Sequence, residues 1–280
     1  MFNMALTLFA YLIDKKFGEF RFIKHPVIYI GEFITFFENR FYKDDIFRGF
    51  LLTLFVVGVS VGVALFIEFL TTFLPTYLQL FVLSVLSSMF IAYHMLKSAV
   101  LGVVEADDKK KAISMLVSRD TQNLSESEIY KASVETYAEN LSDGVVAPMF
   151  YLLLFGFSGI VFYKAINTLD SMVGYRNKKY ENFGKVSAIA DDVLNFIPSR
   201  VTAVLIMLKG GQKNIFAFYK DGKKHKSPNA GHPITAMALV CNIQLGGDTS
   251  YFGKVEKKAT FGKGRKNITK SDVLKALKVM

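Results

Sequence analysis

Carboxylates, amides and cations recur between residues 119 and 200, within sequence that is otherwise strongly apolar. This stretch contains E-T-Y-A-E-N-L-S-D-G at 135–144, K-A-I-N-T-L-D-S at 164–171 and D-D-V-L-N-F-I-P-S-R at 191–200. Polar groups in sequence apolar enough for a membrane are costly to bury, so they are candidates for function. We predict that 119–200 is the catalytic core of the chain.

Three groups of acidic residues in this core could hold a metal ion or accept a proton. Oxygen ligands of this kind suit Mg²⁺, which holds phosphate groups with the help of one or two carboxylates and several waters. Nearby cations could neutralise phosphate or a substrate carboxylate, and arginine does so in a bidentate manner. The acids are Glu135/Glu139/Asp143, Asp170 and Asp191/Asp192, and the cations are Arg119, Lys164, Arg176 and Arg200.

Several other kinds of catalytic site lack their signatures in this sequence. G-K-G-R-K at 262–266 lacks the spacing of a G-x-x-x-x-G-K-[ST] loop, so any nucleotide site must be of another kind. No G-x-S-x-G occurs, and no pairing of histidine with the single cysteine, Cys241, suggests covalent catalysis. The residues alone leave two classes open: a membrane enzyme that handles phosphate with a metal, and a transporter with carboxylates inside the membrane.

Two long apolar runs predict that the chain crosses a membrane. Residues 49–67 contain no charged side chain, and residues 69–96 contain none apart from the ionisable His94. Uncharged apolar runs of about 18 residues or more are typical of membrane spans. We therefore predict spans at 49–67 and 77–96, with further transmembrane helices, in an all-α integral membrane protein.

Residues 144–172 predict a re-entrant helical hairpin rather than one straight span. The sequence G-F-S-G interrupts this apolar run at 156–159. A single crossing would place E-T-Y-A-E-N (135–140) and N-T-L-D-S-M (167–172) on opposite membrane faces, whereas a hairpin returns both to one face. Non-helical backbone within a membrane is tolerated where protein covers it.

The polar residues themselves are predicted to lie on helices. Ser125 and Glu128 form a capping box, which predicts a helix to residue 141 that carries Glu135 and Glu139 on one face. Spacings of three and four residues predict one helical stripe for Lys164, Asn167, Asp170 and Ser171. Gly174 suits the end of that helix.

The remaining helices are predicted from the periodicity of apolar residues and from helix-breaking residues. Asp191, Asp192 and Asn195 share the next helix, which Pro198 kinks or breaks. Shorter helices are predicted at 27–37, after the His25–Pro26 step, and at 234–245.

Positive charge is concentrated in the last quarter of the chain. The net charge is +10, and residues 209–280 hold 15 Lys and Arg against 4 Asp and Glu. A basic tail can contact nucleic acid, acidic lipid or an anionic substrate. We interpret it as the positive-inside signal of a cytoplasmic tail, with no nucleic-acid partner. The chain is thus predicted to be a single membrane-embedded catalytic domain over 1–280, multi-pass in the cell membrane, with its active face in the cytoplasm.

These motifs closely resemble the CobD/CbiB family of cobalamin biosynthesis, the adenosylcobinamide-phosphate synthases. The resemblance rests on S-R-D-T (118–121), V-E-T-Y-A-E-N-L-S-D-G-V-V-A-P-M-F-Y (134–151), Y-K-A-I-N-T-L-D-S-M-V-G-Y-R-N (163–177) and D-D-V-L-N-F-I-P-S-R (191–200). It extends to K-H-P-V-I-Y-I-G (24–31), N-A-G-H-P (229–233) and L-G-G-D-T-S-Y-F-G (245–253). One departure is His232, where the family usually has an aromatic residue.

The resemblance implies an activity. The family joins a peripheral carboxylate of adenosylcobyric acid to the amine of aminopropanol, or of its O-phosphate, in an amide bond. The implied co-reactants are ATP and Mg²⁺, with no tightly bound organic cofactor. The other expected partners are membrane lipid and further copies of the chain in a homo-oligomer.

Roles for single residues follow as hypotheses. The metal candidates are Asp143, Asp191 and Asp192. The catalytic candidates are Glu135 or Glu139 as general base, together with Lys164 and Asp170. The candidates for binding substrate or phosphate are Arg119, Asp120, Asn140, Asn167, Ser171, Arg176, Asn195, Arg200 and His25.

Three competing interpretations of the sequence remain. A corrinoid-binding or transport protein would bind ligand without forming an amide. A membrane phosphotransferase for lipids would show a D-G-x₂-A-R motif, which S-D-G-V-V-A-P at 142–148 imitates only in part. A buried polar network can also serve only to join helices.

Overall fold

The computed structural model describes residues 1–20, 24–175, 177–251 and 253–280. Helices make up 67% of the chain, and there is little sheet. Within the described residues, three helical segments are long and apolar enough to cross a membrane: Ile46–Thr71, Thr76–Glu105 and Glu126–Val173. The predicted all-α membrane fold is confirmed.

The described residues form two compact units. Unit 1 consists of Met1–His94 and Ala147–Asn195, and unit 2 consists of Met95–Val146 and Phe196–Met280. The candidate residues between 119 and 200 are therefore divided between the units. The assignment of 1–280 to one catalytic domain stays a prediction.

Unit 1 is built around a long helix, α8, which packs against the other long helices of the unit. Its elements are α1 (Phe2–Phe17), α2 (Pro26–Phe41), α3 (Ile46–Thr71), α4 (Thr76–Ser88), the start of α5 (Tyr93–Glu105), α8 (Ala147–Val173) and α9 (Lys185–Leu194). The predicted helix at 27–37 lies within α2, and Gly174 follows the last residue of α8, as predicted.

α8 folds back on itself at Gly156. This glycine has φ 72° and ψ −158°, which is not a helical conformation. The rings of Tyr151 and Tyr163 stack with their centroids 5.1 Å apart. In a straight helix these two residues would lie about 18 Å apart along the axis. The predicted helical hairpin is therefore present, and it turns within the predicted G-F-S-G segment; its re-entry into the membrane stays a prediction.

The hairpin turn is closed by a carboxylate from a neighbouring helix. Glu68, near the end of α3, accepts a hydrogen bond from the backbone N–H of Ser158 at 3.1 Å. The first N–H groups of a helix have no partner within that helix, and in an apolar surrounding such groups need one. Glu68 thus caps the second arm of α8, the arm that carries Lys164, Asn167 and Asp170.

A second carboxylate caps a break that the sequence did not predict. The segment predicted to span the membrane at 77–96 is interrupted, because α4 ends at Ser88 and α5 begins at Tyr93. Asp14, which is 2% exposed, accepts hydrogen bonds from the backbone N–H groups of Tyr93 at 2.9 Å and His94 at 3.2 Å. The segment remains apolar enough to span, but it is not one continuous helix.

Unit 2 combines helices with two small β-ribbons. Its elements are the rest of α5, α6 (Lys109–Ser114), α7 (Glu126–Leu141), a π-helical turn (Ser142–Val146), α10 (Phe196–Lys209), α11 (Phe218–Gly222), α12 (Gly231–Cys241), β1 (Leu245–Gly246), β2 (Thr249–Tyr251), β3 (Lys254–Glu256), β4 (Thr260–Phe261) and α13 (Lys270–Ala276). Strand β1 pairs antiparallel with β4, and β2 pairs antiparallel with β3.

The helix signals in unit 2 are confirmed, with shifted ends. The capping box between Ser125 and Glu128 is formed at the start of α7. The helix predicted at 234–245 is α12, which begins three residues earlier and ends at Cys241. Pro198 lies in the first turn of α10, where its missing N–H costs nothing, so the break falls earlier, at Asn195.

Candidate active site

The second arm of α8 and the end of α9 meet through a hydrogen-bond network in unit 1. Lys164 Nζ donates to Asn167 Oδ1 at 3.3 Å, and Asn167 Nδ2 donates to Asp191 Oδ1 at 3.2 Å. Asn195 Nδ2 donates to the other carboxylate oxygen of Asp191 at 2.9 Å. The structure therefore brings together four of the residues that the sequence proposed for the site.

Two stacked tyrosines hold the far end of this network. Tyr163 donates its hydroxyl to Asn195 Oδ1 at 2.8 Å, and Tyr151 donates to the backbone carbonyl of Leu194 at 3.0 Å. Asn195 is 1% exposed, so its amide has no water to turn towards. The tyrosines thereby fix the orientation in which Asn195 offers its N–H to Asp191.

Acidic charge is crowded around Asp191. Burial is the main cause that raises the pKa of this carboxyl; hydrogen bonds from Asn167 and Asn195 lower it, and the neighbouring Asp192 raises it further. Asp191 and Asp192 are also the charged neighbours of Asp170. A cation bound beside these three acids would relieve both their burial and their mutual repulsion.

The acids of unit 1 fit Mg²⁺ that arrives with phosphate. The described residues contain no group of three His, Cys, Asp or Glu side chains placed to hold a metal. Mg²⁺ does not need one, because it keeps several waters and uses one or two carboxylates together with substrate phosphates. Asp191 is only 8% exposed, whereas half-buried Asp192 lines a cavity. Asp192 is therefore the more accessible ligand.

The remaining candidates of unit 1 make local hydrogen bonds to the backbone. Ser171 is exposed and donates to the backbone carbonyl of Asn167 at 2.9 Å. His25 caps α2, where its Nδ1 accepts from the backbone N–H of Val27 at 3.3 Å. Burial lowers the pKa of His25, and Lys164 is among its charged neighbours. Arg176 lies outside the described residues.

Unit 2 holds a separate group of candidates around Glu135 on α7. Arg119 Nη2 pairs with Glu135 Oε2 at 2.7 Å, and the backbone N–H of Gly246 donates to Glu135 Oε1 at 2.6 Å. Lys131 Nζ donates to the carbonyl of the same glycine at 2.9 Å. Both oxygens of Glu135 are occupied, so this side chain joins α7 to the segments at 119 and 246.

Asp120 likewise joins two segments of unit 2. Its Oδ2 accepts from Ser250 Oγ at 2.6 Å and from the backbone N–H of Gly253 at 2.8 Å. Its own N–H donates to the carbonyl of Ser250 at 2.9 Å. The S-R-D-T and L-G-G-D-T-S-Y-F-G motifs, which lie far apart in the sequence, are therefore bound directly to each other.

Glu139 differs from Glu135 in having no hydrogen-bond or ion-pair partner within the described residues. It is half-buried one turn further along α7, and its charged neighbours are Glu135, Lys258 and Arg119. A half-buried carboxylate that has no partner and lies near a second carboxylate can accept a proton. Of the two glutamates predicted as general base, Glu139 is the one that the geometry favours.

The other polar candidates of unit 2 differ in their exposure and in their contacts. Asn140 is exposed, and its amide donates to the carbonyl of Thr136 within α7 at 2.9 Å. Asp143 is half-buried in the π-helical turn. Arg200 donates to four neutral oxygens, on Phe196, Ser199, Pro228 and Asn229, and its guanidinium lies 3.7 Å from the Phe196 ring centroid. Arg200 thus ties α10 to the N-A-G-H-P motif.

Sequence reasoning missed several residues that complete these groups. Tyr151 and Tyr163 read as ordinary apolar positions, and Lys131 as part of a solvated helix face. The others lie outside the predicted core, and they are Asn229, Gly246, Ser250 and Lys258. The signal that could have identified some of them was present, because the N-A-G-H-P and L-G-G-D-T-S-Y-F-G motifs carried part of the resemblance.

Comparison with known proteins identifies the family. The family model described as CobD/Cbib protein matches residues 7–280. The chain belongs to the CobD/CbiB family. A cobalamin biosynthesis protein CobD of Clostridium perfringens is 40% identical, with 99% of this chain and 93% of the relative covered. One of Halalkalibacterium halodurans is 37% identical over 97% and 90%, and a probable one of Pyrococcus furiosus is 39% identical over 86% and 85%.

Membership in the CobD/CbiB family connects the chain to cobalamin biosynthesis and to corrinoid-type substrates. The matched region, residues 7–280, includes every candidate residue. No solved structure matches the chain.

Proposed function

We propose that this CobD/CbiB protein is an ATP-dependent amide ligase. It joins (R)-1-amino-2-propanol, or its O-phosphate, to a carboxylate of adenosylcobyric acid and yields adenosylcobinamide or its phosphate. The observation that carries the proposal is the network of Lys164, Asn167 and Asp191, which gathers a cation, an amide and a crowded carboxylate on two adjoining helices of unit 1.

The reaction needs an activated acid. A carboxylate is a poor electrophile, so ATP first transfers its γ-phosphoryl group to a carboxylate oxygen of the corrinoid, with release of ADP. The amine then attacks the acyl phosphate, the C–O bond to phosphate breaks as the C–N bond forms, and the amine nitrogen loses a proton. Cations near the transferring phosphoryl group stabilise the charge that develops on it.

Lys164 is the cation of unit 1 best suited to that task. Its ammonium is half-buried on the hairpin arm and is held by Asn167. Asn167 and Asn195 fix the Asp191 carboxylate from two sides, so that its position does not depend on solvent. These amides are positioning residues in the proposal.

Asp191 and Asp192 would hold Mg²⁺, and Asp170 lies among their charged neighbours. When bound, the ion supplies charge neutralisation for the phosphates. The protein's own contribution is to keep two adjacent carboxylates oriented and partly shielded from water. Asp143, in unit 2, stays a sequence-based metal candidate.

Glu139 is the proposed proton acceptor for the amine. Its carboxylate has no partner within the described residues, whereas Glu135 is held by Arg119 and Gly246. Arg119 serves first to hold Glu135 in this proposal. We further propose that the active face is cytoplasmic and that the protein resides in the cell membrane, where it contacts lipid.

A product assay tests the proposal. Detergent-purified protein is incubated with adenosylcobyric acid, aminopropanol phosphate, ATP and Mg²⁺, and the amide is sought by mass spectrometry. We expect an amide that requires both ATP and the metal. Corrinoid binding without any amide, in protein shown to be folded, would instead favour a binding or transport function.

A further inference from the structure

A cavity of about 300 Å³ lies over α9 and the polar loop before it, entirely within unit 1. Its lining includes Tyr175, Tyr180, Lys185, Ile189 and Asp192. We propose that this cavity is the nucleotide site of the protein and takes a nucleoside triphosphate. The inference rests on the proposed ATP-dependent function and gives that function a location.

One face of α9 presents opposite charges at its two ends. Lys185 and Asp192 are seven residues apart, which places them on the same face about 10 Å apart along the axis. Ala188 and Ile189 lie between them and also line the cavity. A triphosphate extended along this face meets an ammonium at one end, and at the other end a carboxylate suited to its magnesium ion.

The lining of the cavity also offers aromatic rings. Tyr175 and Tyr180 both line the cavity. The Tyr180 hydroxyl donates to Glu38 Oε1 at 2.9 Å, and its ring stacks on Phe183 with centroids 6.4 Å apart. A fixed aromatic face stacks on any nucleobase, which a small amine or a free phosphate would not use.

The polar loop is held in place before any ligand arrives. Asp44 accepts hydrogen bonds from the backbone N–H groups of Asn182 and Phe183, each at 3.0 Å. The Tyr42 hydroxyl donates to the carbonyl of Lys179 at 2.7 Å. A wall ordered in advance loses little entropy on binding, which favours affinity.

A glycine that lines the cavity lets the start of α9 pack closely against the end of α8. A Cβ on Gly184 would lie 1.7 Å from the carbonyl oxygen of Val173, so only glycine allows α9 to start against the end of α8. Asp192, which also lines the cavity, and Asp191 are the charged neighbours of Asp170 on α8. The terminal phosphate would therefore lie where the acid cluster can share its magnesium ion.

The size of the cavity argues against the corrinoid as its occupant, and its aromatic lining favours a nucleotide over the small amine. The cavity is at the lower end of the 300–1,000 Å³ typical of ligand pockets, which is small for a corrinoid macrocycle. The chain has no phosphate-binding loop of the G-x-x-x-x-G-K-[ST] type, so a nucleotide must be bound by other means. The amine substrate is the main alternative occupant.

Binding of a fluorescent trinitrophenyl-ATP to the detergent-purified full chain tests the site. We expect Lys185→Gln and Tyr180→Leu each to weaken binding about tenfold, and Tyr180→Phe, which keeps the ring, to bind as wild type does. Asp192→Asn should abolish the Mg²⁺ dependence of binding. The matched control is Lys178→Gln, an exposed lysine of the same loop that does not line the cavity.

Kinetics separates this inference from the proposed function. Lys185→Gln should raise the KM for ATP and leave the KM for the amine unchanged. If amide forms but Lys185→Gln and Tyr180→Leu bind ATP normally, or only the KM for the amine rises, the cavity is not the nucleotide site and the ligase function stands. If the variants weaken ATP binding but wild type forms no amide, the site stands and the ligase function fails.

Discussion

The side-chain amide of Asn195 donates to Oδ2 of Asp191 at 2.9 Å, while Asn167, from the arm of the α8 hairpin, donates to Oδ1. Two amides from two different segments therefore hold one carboxylate. Such an arrangement fixes the direction in which the remaining lone pairs of the carboxylate point. A metal or phosphate site depends on that direction more than on the mere presence of an acid.

Loss of one amide should therefore lower activity without loss of the fold. Asn167 is only half-buried, so Asn167→Ala is the cleaner variant, and we expect about 10- to 100-fold lower ligation activity. Amide formation at varied Mg²⁺ measures the effect, and membrane abundance serves as the check on folding. Gln122→Ala, which removes an exposed amide, is the control. Unchanged activity and Mg²⁺ response in Asn167→Ala would remove Asn167 from the site.

Glu135 and Glu139 should respond differently to the same substitution. Glu135→Gln leaves partly buried Arg119 without its carboxylate, and breaking such a pair costs about 3–5 kcal/mol, so stability should fall. Glu139→Gln should keep the stability and lower kcat by about 10²- to 10⁴-fold if Glu139 is the base. Thermal unfolding can be followed with a thiol dye, because the single cysteine, Cys241, is buried.

The double variant Arg119→Met/Glu135→Met separates charge from packing in that experiment. Removal of both partners leaves no unpaired charge, so it should restore part of the stability that Glu135→Gln loses. Equal kcat values for Glu139→Gln and wild type would exclude Glu139 as the base.

Local sequence signals were sufficient to predict the structure where the interacting residues are close together in the sequence. The capping box at Ser125 and Glu128 predicted the start of α7, and G-F-S-G predicted the hairpin turn at Gly156. The stripe of Lys164 and Asn167 also followed from helical spacing alone. In each case the residues that decide the structure lie within a few positions of one another.

Distant partners explain what the sequence could not predict. The apolar run at 77–96 contains no proline or glycine at the break after Ser88, and the group that caps the new helix, Asp14, comes from 79 residues earlier. Glu135 likewise appeared free to act as a base, because its partner Gly246 is 111 residues away. No local pattern distinguishes a carboxylate that joins segments from one that is available for chemistry.

Glu68 should be replaceable by a neutral acceptor but not by an apolar residue. Its role is to accept the N–H of Ser158, so Glu68→Gln should retain stability and activity, whereas Glu68→Leu should lose about 0.5–2 kcal/mol. Thermal unfolding and the amide assay measure both. Ser158→Ala keeps the backbone N–H and is the control, while Ser158→Pro removes it and should resemble Glu68→Leu. Equal stability of Glu68→Leu and wild type would mean that the hairpin needs no cap.

His232 should make the stability of unit 2 depend on pH. The ring is 0% exposed, stacks on Tyr219 with centroids 5.4 Å apart, and neither of its nitrogens has a hydrogen-bond partner within the described residues. Burial, with smaller contributions from the positive charges of Arg200 and Lys223, lowers its pKa from 6.5 to about 4. Below pH 6.5 the unfolded chain binds a proton that the folded chain does not bind until about pH 4. The stabilisation from the neutral ring is thus complete above pH 6.5 and is lost as the pH falls towards 4.

His232→Phe removes this titration and keeps an aromatic ring between Phe218 and Tyr219. We expect the melting temperature of wild type to fall more steeply than that of His232→Phe between pH 6.5 and pH 4. The difference between the two proteins is the informative quantity, because carboxylates titrate in both at the acid end. Thermal unfolding at closely spaced pH values measures it, with the dye added after each heating step at one common pH. Parallel curves would show that the pKa of His232 is the same in the folded and the unfolded protein. The ring would then not lie in the apolar, cationic surrounding described above.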